Sequence, residues 1–100
     1  MKVYKKGQLD CQGTSLKGYI NASYQELVDS LGEPTFDSVS GDGKVQKQWN
    51  IKYKGDIFTI YDWKTFDLDY TIQELTVFNV GGKVYAGYFI SEIEKMIKEL

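Results

Sequence analysis

The pattern of hydrophobic and polar positions first predicts a short helix. Apolar side chains recur at the spacing of one helical face, at Tyr24, Leu27, Val28 and Leu31. Ser23 and Glu26 have the spacing of a capping box, in which each side chain binds the backbone N–H of the other residue. Gly32 and Pro34 then end the helix, because glycine accepts the conformation of a C-cap and proline cannot continue the hydrogen bonding.

From Lys44 onward the period of the pattern changes to two, which is typical of strands. The first strand has Val45, Trp49, Ile51 and Tyr53 on one face, interrupted by Lys47, and Gln46, Gln48, Asn50, Lys52 and Lys54 on a solvated face. Gly55-Asp56 predicts a hairpin turn. Residues 57–63 are apolar on both faces, which indicates a central strand. A third strand is expected over residues 71–80, with Gly81-Gly82 as the turn that follows it.

The helical period returns near the end of the chain and predicts a second helix. Its apolar positions are Ala86, Phe89, Ile90, Ile93, Met96, Ile97 and Leu100. Residues 13–20 indicate a short edge strand, and residues 1–12 either another edge strand or a loose tail. The predicted fold is one α+β domain over residues 1–100, with the order β-α-β-β-β-α. An antiparallel sheet of three to four strands with both helices on one face buries these apolar stripes.

The composition bounds the class of protein and its compartment. With 42% hydrophobic and 15% aromatic residues in 100, the chain is expected to fold rather than to be disordered. No apolar run is long enough to span a membrane, and the basic residues 1–7 have no apolar stretch behind them, so we expect neither a membrane protein nor a signal peptide. A single cysteine, Cys11, cannot form an internal disulfide, which favours the cytoplasm.

The residue types available for chemistry argue against an enzyme. The chain has no histidine and no arginine, so zinc sites of the usual Cys/His type are not expected. Cys11 has no histidine to activate it as a nucleophile. The acidic residues Asp62, Asp67 and Asp69 do not have the spacing of a calcium-binding loop. We therefore predict no catalytic residue, no cofactor and no metal.

The aromatic side chains allow two interpretations. Trp49 and Tyr53 lie among lysines on a predicted strand, an arrangement that can stack single-stranded nucleic acid. The two helices, however, need an apolar sheet face to cover, so we expect these rings in the core. The net charge of −2 and the absence of arginine also weigh against direct nucleic-acid binding.

A partner surface is predicted instead around the acidic and aromatic residues near position 65. Exposed Trp and Tyr rimmed by charged residues are typical of protein–protein hot spots. The predicted contact region comprises Asp37, Asp42, Asp62, Trp63, Phe66, Asp67, Asp69 and Tyr70. Its carboxylates would take the place of phosphates in a lysine- and arginine-rich channel of the partner.

Four blocks resemble small phage and prophage proteins of about this length that have no assigned activity. They are Gly18-Tyr19-Ile20, the helix segment from Ser23 to Pro34, Thr59-Ile60-Tyr61-Asp62-Trp63-Lys64, and Val80-Gly81-Gly82. The resemblance covers residues 13–82. It implies a phage-encoded inhibitor, of the anti-CRISPR or another anti-defence kind, acting in the cytoplasm of a bacterial host. Its partner would be a bacterial host protein, such as a nucleic-acid-binding CRISPR effector.

Two alternatives stay open beside the inhibitor. The first is a module that binds single-stranded nucleic acid through the sheet aromatics. The second is a virion assembly protein, which would form a homodimer or a larger homo-oligomer. Met96, Ile97 and Leu100 at the end of the last helix would supply that interface.

Overall fold

The protein is described by a computed structural model over residues 1–36, 47–62 and 75–100. The strands are β1 (Lys2–Tyr4), β2 (Ser15–Asn21), β3 (Gln48–Tyr53), β4 (Asp56–Tyr61) and β5 (Val77–Gly82), and the helices are α1 (Tyr24–Leu31) and α2 (Gly87–Lys98). The α+β class, the antiparallel sheet and the predicted order of elements are confirmed. Within the described ranges the sheet has five strands, not three to four, because residues 2–4 add a strand too short to show a period.

The strands form one antiparallel sheet in the order β1-β3-β4-β5-β2. β4 is the central strand, as its apolar residues on both faces predicted. Tyr53 pairs with Asp56 across the β3–β4 hairpin, so the turn consists of Lys54 and Gly55. Their φ angles of 51° and 85° are both positive, which a two-residue turn of type I′ requires. The predicted turn at Gly55-Asp56 is therefore shifted by one residue.

Both helices pack on the same face of the sheet. The register places Trp49 opposite Ile60, and Ile51 opposite Phe58, on this face. The buried core joins these sheet residues to the helices, and it comprises Ile20, Ala22, Leu27, Trp49, Ile51, Phe58, Ile60, Leu75, Phe78, Val80, Ala86, Phe89 and Ile93. The prediction that Trp49 belongs to the core is thus confirmed.

The predicted turn at Gly81-Gly82 is wrong, because both glycines lie in β5. Side chains of the neighbouring β4 lie against their backbone. A Cβ on Gly81 would stand 2.6 Å from the hydroxyl oxygen of Thr59, and one on Gly82 would stand 2.9 Å from the ring of Phe58. The two glycines therefore allow close packing of β5 against β4.

The sheet face opposite the helices is less solvated than predicted. Asn50 is only 3% exposed. Its backbone N–H donates a hydrogen bond of 2.9 Å to the hydroxyl of Thr35, and its side-chain oxygen accepts one of 2.7 Å from Gln48. Lys52 and Lys54 are exposed, as the alternation predicted. After α1 the chain returns alongside β3, where Phe36 forms an isolated antiparallel bridge with Gln48.

The capping box of α1 is expected to contribute measurably to stability. The hydroxyl of Ser23 accepts a hydrogen bond of 3.1 Å from the backbone N–H of Glu26, and the Glu26 carboxylate accepts one of 2.9 Å from the N–H of Ser23. Ser23→Ala is expected to lower the free energy of unfolding by about 1 kcal/mol, measured by urea denaturation. Ser23→Asp keeps an acceptor and is expected to stay close to the wild type. Equal stability of Ser23→Ala and the wild type would contradict this expectation.

Candidate functional site

Of the predicted contact region, Asp62 is the residue that the structure describes. The others lie outside the described residues, namely Asp37, Asp42, Trp63, Phe66, Asp67, Asp69 and Tyr70. Asp62 is 2% exposed, and its carboxylate accepts a hydrogen bond of 2.7 Å from the backbone N–H of Lys47. The structure therefore gives Asp62 a role inside the fold, where it holds the start of β3 against the end of β4, and does not present it to a partner.

The largest exposed aromatic surface in the described part of the chain is a pair of tyrosines at the start of α2. Tyr85 precedes the helix and Tyr88 lies in its first turn, and their side chains are 75% and 77% exposed. The centroids of their rings are 5.8 Å apart, and the rings meet edge to face at an angle of 82°. Aromatic rings are usually well covered, because each buries a large apolar area. We refer to Tyr85 and Tyr88 as the tyrosine pair.

A small pocket lies between the tyrosine pair and the β3–β4 hairpin. Its volume is about 140 Å³, and it is lined by Tyr53, Lys54, Asp56, Phe58, Tyr85, Tyr88 and Phe89. Pockets for drug-sized ligands measure roughly 300–1,000 Å³. This pocket is therefore too small for such a ligand and is of a size to accept the end of one side chain. We refer to it as the hairpin pocket.

The two sides of the hairpin pocket are held together by stacked core rings. Phe58 of β4 and Phe89 of α2 lie with ring centroids 4.4 Å apart and nearly parallel planes, at 7°. Tyr53 of β3 adds a tilted contact with Phe89 at 5.9 Å. These contacts fix the start of α2 relative to the hairpin, so the pocket is formed by rigid elements.

Charges of both signs line the hairpin pocket. The Lys54 ammonium lies 5.3 Å from the centroid of the Tyr53 ring, within the range of a cation–π interaction. Asp56 is exposed and stands opposite Tyr53 in the hairpin register, which places both side chains on the helix face of the sheet. The site thus combines tyrosine rings, one ammonium and one carboxylate.

Gly87 determines where the Tyr85 ring can lie. A Cβ on Gly87 would overlap the hydroxyl and ring of Tyr85. The preceding residue, Ala86, is buried in the core and anchors this segment. Tyr85 therefore folds across the backbone of the first helical residue, and a glycine is needed there to keep that position.

Gly87→Ala is expected to change the position of the Tyr85 ring without lowering the stability of the protein. Alanine is the better helix former, so the free energy of unfolding is expected to stay equal or to rise by up to about 1 kcal/mol. The new methyl group displaces the Tyr85 ring toward solvent, because the ring is largely exposed. Loss of the nuclear Overhauser contacts between the Tyr85 and Tyr88 rings would show the displacement. Unchanged ring contacts in a folded Gly87→Ala variant would contradict this account of Gly87.

The sequence interpretation missed the tyrosine pair, although the pattern contained it. The apolar stripe of α2 runs through Ala86, Phe89 and Ile93, and Tyr85 and Tyr88 fall beside that stripe. Positions outside the stripe of a surface helix face solvent. Two tyrosines at such positions indicate an exposed aromatic surface.

The opposite sheet face carries a second aromatic group. Tyr19 of β2 is 58% exposed, and the register aligns it with Asn79 and Tyr61 on neighbouring strands. Burial raises the pKa of the Tyr61 phenol, and a hydrogen bond with Asn79 partly offsets this. The nucleic-acid interpretation named Trp49 and Tyr53, but Trp49 is fully buried and Tyr53 packs on Phe89. The register places Tyr4, Tyr19 and Tyr61 on this face.

A larger depression lies between β1 and the end of α1. Its volume is about 380 Å³, and it is lined by Val3, Tyr4, Lys5, Lys6, Leu31, Glu33, Pro34 and Thr35. In the described part of the chain, no buried polar side-chain atom lacks a hydrogen-bond partner. No cluster of three or more potential metal ligands occurs among the same residues.

The Cys11 thiol is in an environment that disfavours the thiolate. Burial raises its pKa, the Asp10 carboxylate raises it further, and the Lys83 ammonium lowers it by less. A nucleophilic cysteine needs the opposite arrangement, with net positive surroundings. The surroundings of Cys11 thus differ from those of a typical nucleophilic cysteine, and its lack of a catalytic role stays a prediction.

Alkylation by iodoacetamide is expected to report this raised pKa. Because the folded state holds the proton more tightly than a free cysteine does, the thiolate fraction at pH 8 is smaller and the reaction is slower. The pH at which the alkylation rate reaches half of its maximum is expected to be higher for the folded protein than for the urea-denatured chain. Asp10→Asn is expected to lower this pH in the folded protein. A midpoint below that of the denatured chain would contradict the assignment.

Comparisons with known proteins identify no related protein. Family models, curated proteins and solved structures give no match to this chain. The resemblance to phage proteins therefore stays a prediction. Neither of the two helices in the described ranges is long and apolar enough to cross a membrane.

Proposed function

We propose that this protein is a non-catalytic binding protein that occupies a surface of another protein, with the tyrosine pair and the hairpin pocket as its contact site. The observation that carries the proposal is the exposure of Tyr85 and Tyr88, about three quarters of each side chain, beside a pocket for a single side chain. Tyrosine is enriched in binding hot spots because it brings a large contact area and a hydroxyl at little cost in conformational entropy.

The rigidity of the site supports a role in binding. The stacked rings of Phe58 and Phe89 hold α2 against β4, and the two-residue turn at Lys54 and Gly55 keeps the hairpin short. A site that is already ordered loses little entropy when a partner docks. The pocket volume of about 140 Å³ favours an anchor side chain from a protein over a free small ligand.

The particular form of the proposal is an inhibitor of a bacterial host or defence protein, encoded by a phage. Its support is the sequence resemblance together with the net charge of −2, which suits a partner with a basic functional surface. The contact residues predicted from the sequence outside the described ranges, namely Asp37, Asp42, Trp63, Phe66, Asp67, Asp69 and Tyr70, stay a separate prediction. An anti-CRISPR activity is the most specific version of this proposal.

Single-stranded nucleic-acid binding is the second candidate, and one observation favours it. Tyr19 and Tyr61 lie on the sheet face that the described helices leave uncovered, with Lys52 on the same face by register. This candidate predicts an affinity for single-stranded nucleic acid that falls steeply as the salt concentration rises. It also predicts that the Tyr19→Ser variant loses this affinity. The two candidates therefore differ in the tyrosines that they require.

A pull-down tests the proposal. The tagged protein, a Tyr85→Ser/Tyr88→Ser double variant and a Tyr19→Ser variant are each incubated with a bacterial lysate, with and without nuclease. The proposal expects one protein that resists nuclease, is retained by Tyr19→Ser and is lost with the double variant. A partner that disappears with nuclease would support nucleic-acid binding. A nuclease-resistant partner that is lost with Tyr19→Ser would contradict the proposed contact site and place it on the opposite face of the sheet. Recovery of the chain alone would support assembly and contradict the proposal.

A further inference from the structure

We infer that the hairpin pocket binds the cationic end of an arginine or lysine side chain of the partner. The inference rests on the proposed function, since it names the chemistry of the group that docks against the tyrosine pair. The lining includes three tyrosines, one carboxylate residue, one lysine and two phenylalanines, namely Tyr53, Tyr85, Tyr88, Asp56, Lys54, Phe58 and Phe89. Aromatic faces carry negative partial charge, and a cation is the ligand that both rings and carboxylate attract.

An apolar anchor fits this lining less well. A leucine or phenylalanine side chain would remove water from the Asp56 carboxylate without replacing its hydrogen bonds, which is unfavourable. A guanidinium group lies flat against aromatic rings and donates hydrogen bonds from its edge to a carboxylate. The same group satisfies both parts of the pocket.

The pocket already contains one interaction of the inferred kind. The Lys54 ammonium lies 5.3 Å from the centroid of the Tyr53 ring. One aromatic wall therefore holds a cation from the protein itself. A cation from the partner would have to displace the Lys54 ammonium or share the pocket with it, so Lys54 acts as an internal competitor.

A pair of small probes tests the inference without knowledge of the partner. N-acetyl-arginine amide and N-acetyl-citrulline amide have nearly the same shape, but the second has no charge. Each is titrated at millimolar concentrations into the protein with ¹³C-labelled tyrosine, followed by NMR. The arginine compound is expected to shift the rings of Tyr53, Tyr85 and Tyr88 in a saturable manner, with no saturable shift by the citrulline compound. Equal responses to both compounds, or no response to either, would overturn the inference.

Two single substitutions in the pocket are expected to act in opposite directions. Lys54→Gln removes the internal competitor and is expected to tighten binding of the arginine compound about two- to fivefold. Asp56→Asn removes the carboxylate and is expected to weaken it by a similar factor. Glu99→Gln, beyond the other end of α2, changes the net charge as Asp56→Asn does and is expected to leave binding unchanged. Equal weakening by Glu99→Gln and Asp56→Asn would show a general charge effect and overturn the inference.

The outcomes separate this inference from the proposed function. If a protein partner requires the tyrosine pair but the arginine and citrulline compounds behave alike, the binding function stands and the cation inference falls. If the arginine compound binds selectively in the pocket but the partner is retained by the Tyr85→Ser/Tyr88→Ser variant, the pocket chemistry stands and the proposed contact site falls.

Discussion

Trp49→Ala is expected to lower the free energy of unfolding by about 3–5 kcal/mol, the cost typical of removing a large aromatic side chain from a core. Trp49 is 0% exposed at the centre of the covered sheet face. The centroid of its ring lies 6.0 Å from that of the Phe78 ring, and the two rings meet edge to face at 81°. The centroid of the Tyr24 ring, on α1, lies 5.9 Å away. The alanine variant leaves a cavity between sheet and helix that rigid neighbours cannot fill.

A matched variant separates the packing of Trp49 from its hydrogen bond. The indole N–H donates a hydrogen bond of 3.0 Å to the backbone oxygen of Gly32, which closes the end of α1 against β3. Trp49→Phe keeps most of the packing but leaves that oxygen without its donor, and a loss of about 1–3 kcal/mol is expected. Urea denaturation followed by circular dichroism measures both variants. A loss below about 1 kcal/mol for Trp49→Ala would contradict the placement of this ring in the core.

Tyr85→Ser and Tyr88→Ser are each expected to weaken binding of the captured partner about 30-fold or more. This factor corresponds to the 2 kcal/mol that defines a hot spot. Because both side chains are mostly exposed, the stability of each variant is expected to stay within about 0.5 kcal/mol of the wild type. Isothermal titration calorimetry against the isolated partner gives the affinity, and urea denaturation gives the stability.

Tyr19→Ser is the matched control for the tyrosine pair. Tyr19 is also mostly exposed but lies on the opposite face of the sheet, so its loss removes the same chemical groups from a different surface. The affinity for the partner is expected to remain unchanged. A larger loss with Tyr19→Ser than with Tyr85→Ser would move the binding site to the opposite face of the sheet.

The parts of the fold that the sequence predicts well are those determined by neighbouring residues. The capping box of Ser23 and Glu26 and the apolar stripe of α1 involve residues within one or two turns of each other. The hydrophobic period of β3 similarly places Trp49 and Ile51 on the covered face. In these elements local geometry and burial favour the same conformation.

The parts that differ depend on contacts between distant residues. Gly81 and Gly82 belong to β5 because they pair with Thr59 and Phe58 on β4, and only the register of the sheet shows this pairing. The short β1 is a strand because it pairs with β3, about 50 residues away. The turn propensity of neighbouring residues indicates neither the pairing of β5 with β4 nor that of β1 with β3.

The candidate site was only partly predictable for the same reason. Asp62 follows an aromatic residue and precedes Trp63, which indicated an exposed contact, but the backbone N–H of Lys47 requires an acceptor at the end of β4. The tyrosine pair was within reach of the sequence, because the predicted apolar stripe of α2 leaves Tyr85 and Tyr88 beside it. The hairpin pocket depends on the packing of α2 against a hairpin some 30 residues earlier, which no local pattern shows.

Hydrogen–deuterium exchange of the protein with and without its captured partner tests the binding site most directly. Exchange is followed by mass spectrometry over peptides that cover the β3–β4 turn, the start of α2, β2 and residues 63–74. We expect the largest protection by the partner at residues 53–57 and 83–90, which contain the hairpin pocket and the tyrosine pair. Protection confined to β2 and β5, with residues 83–90 unchanged, would contradict the account and place the partner on the opposite face of the sheet.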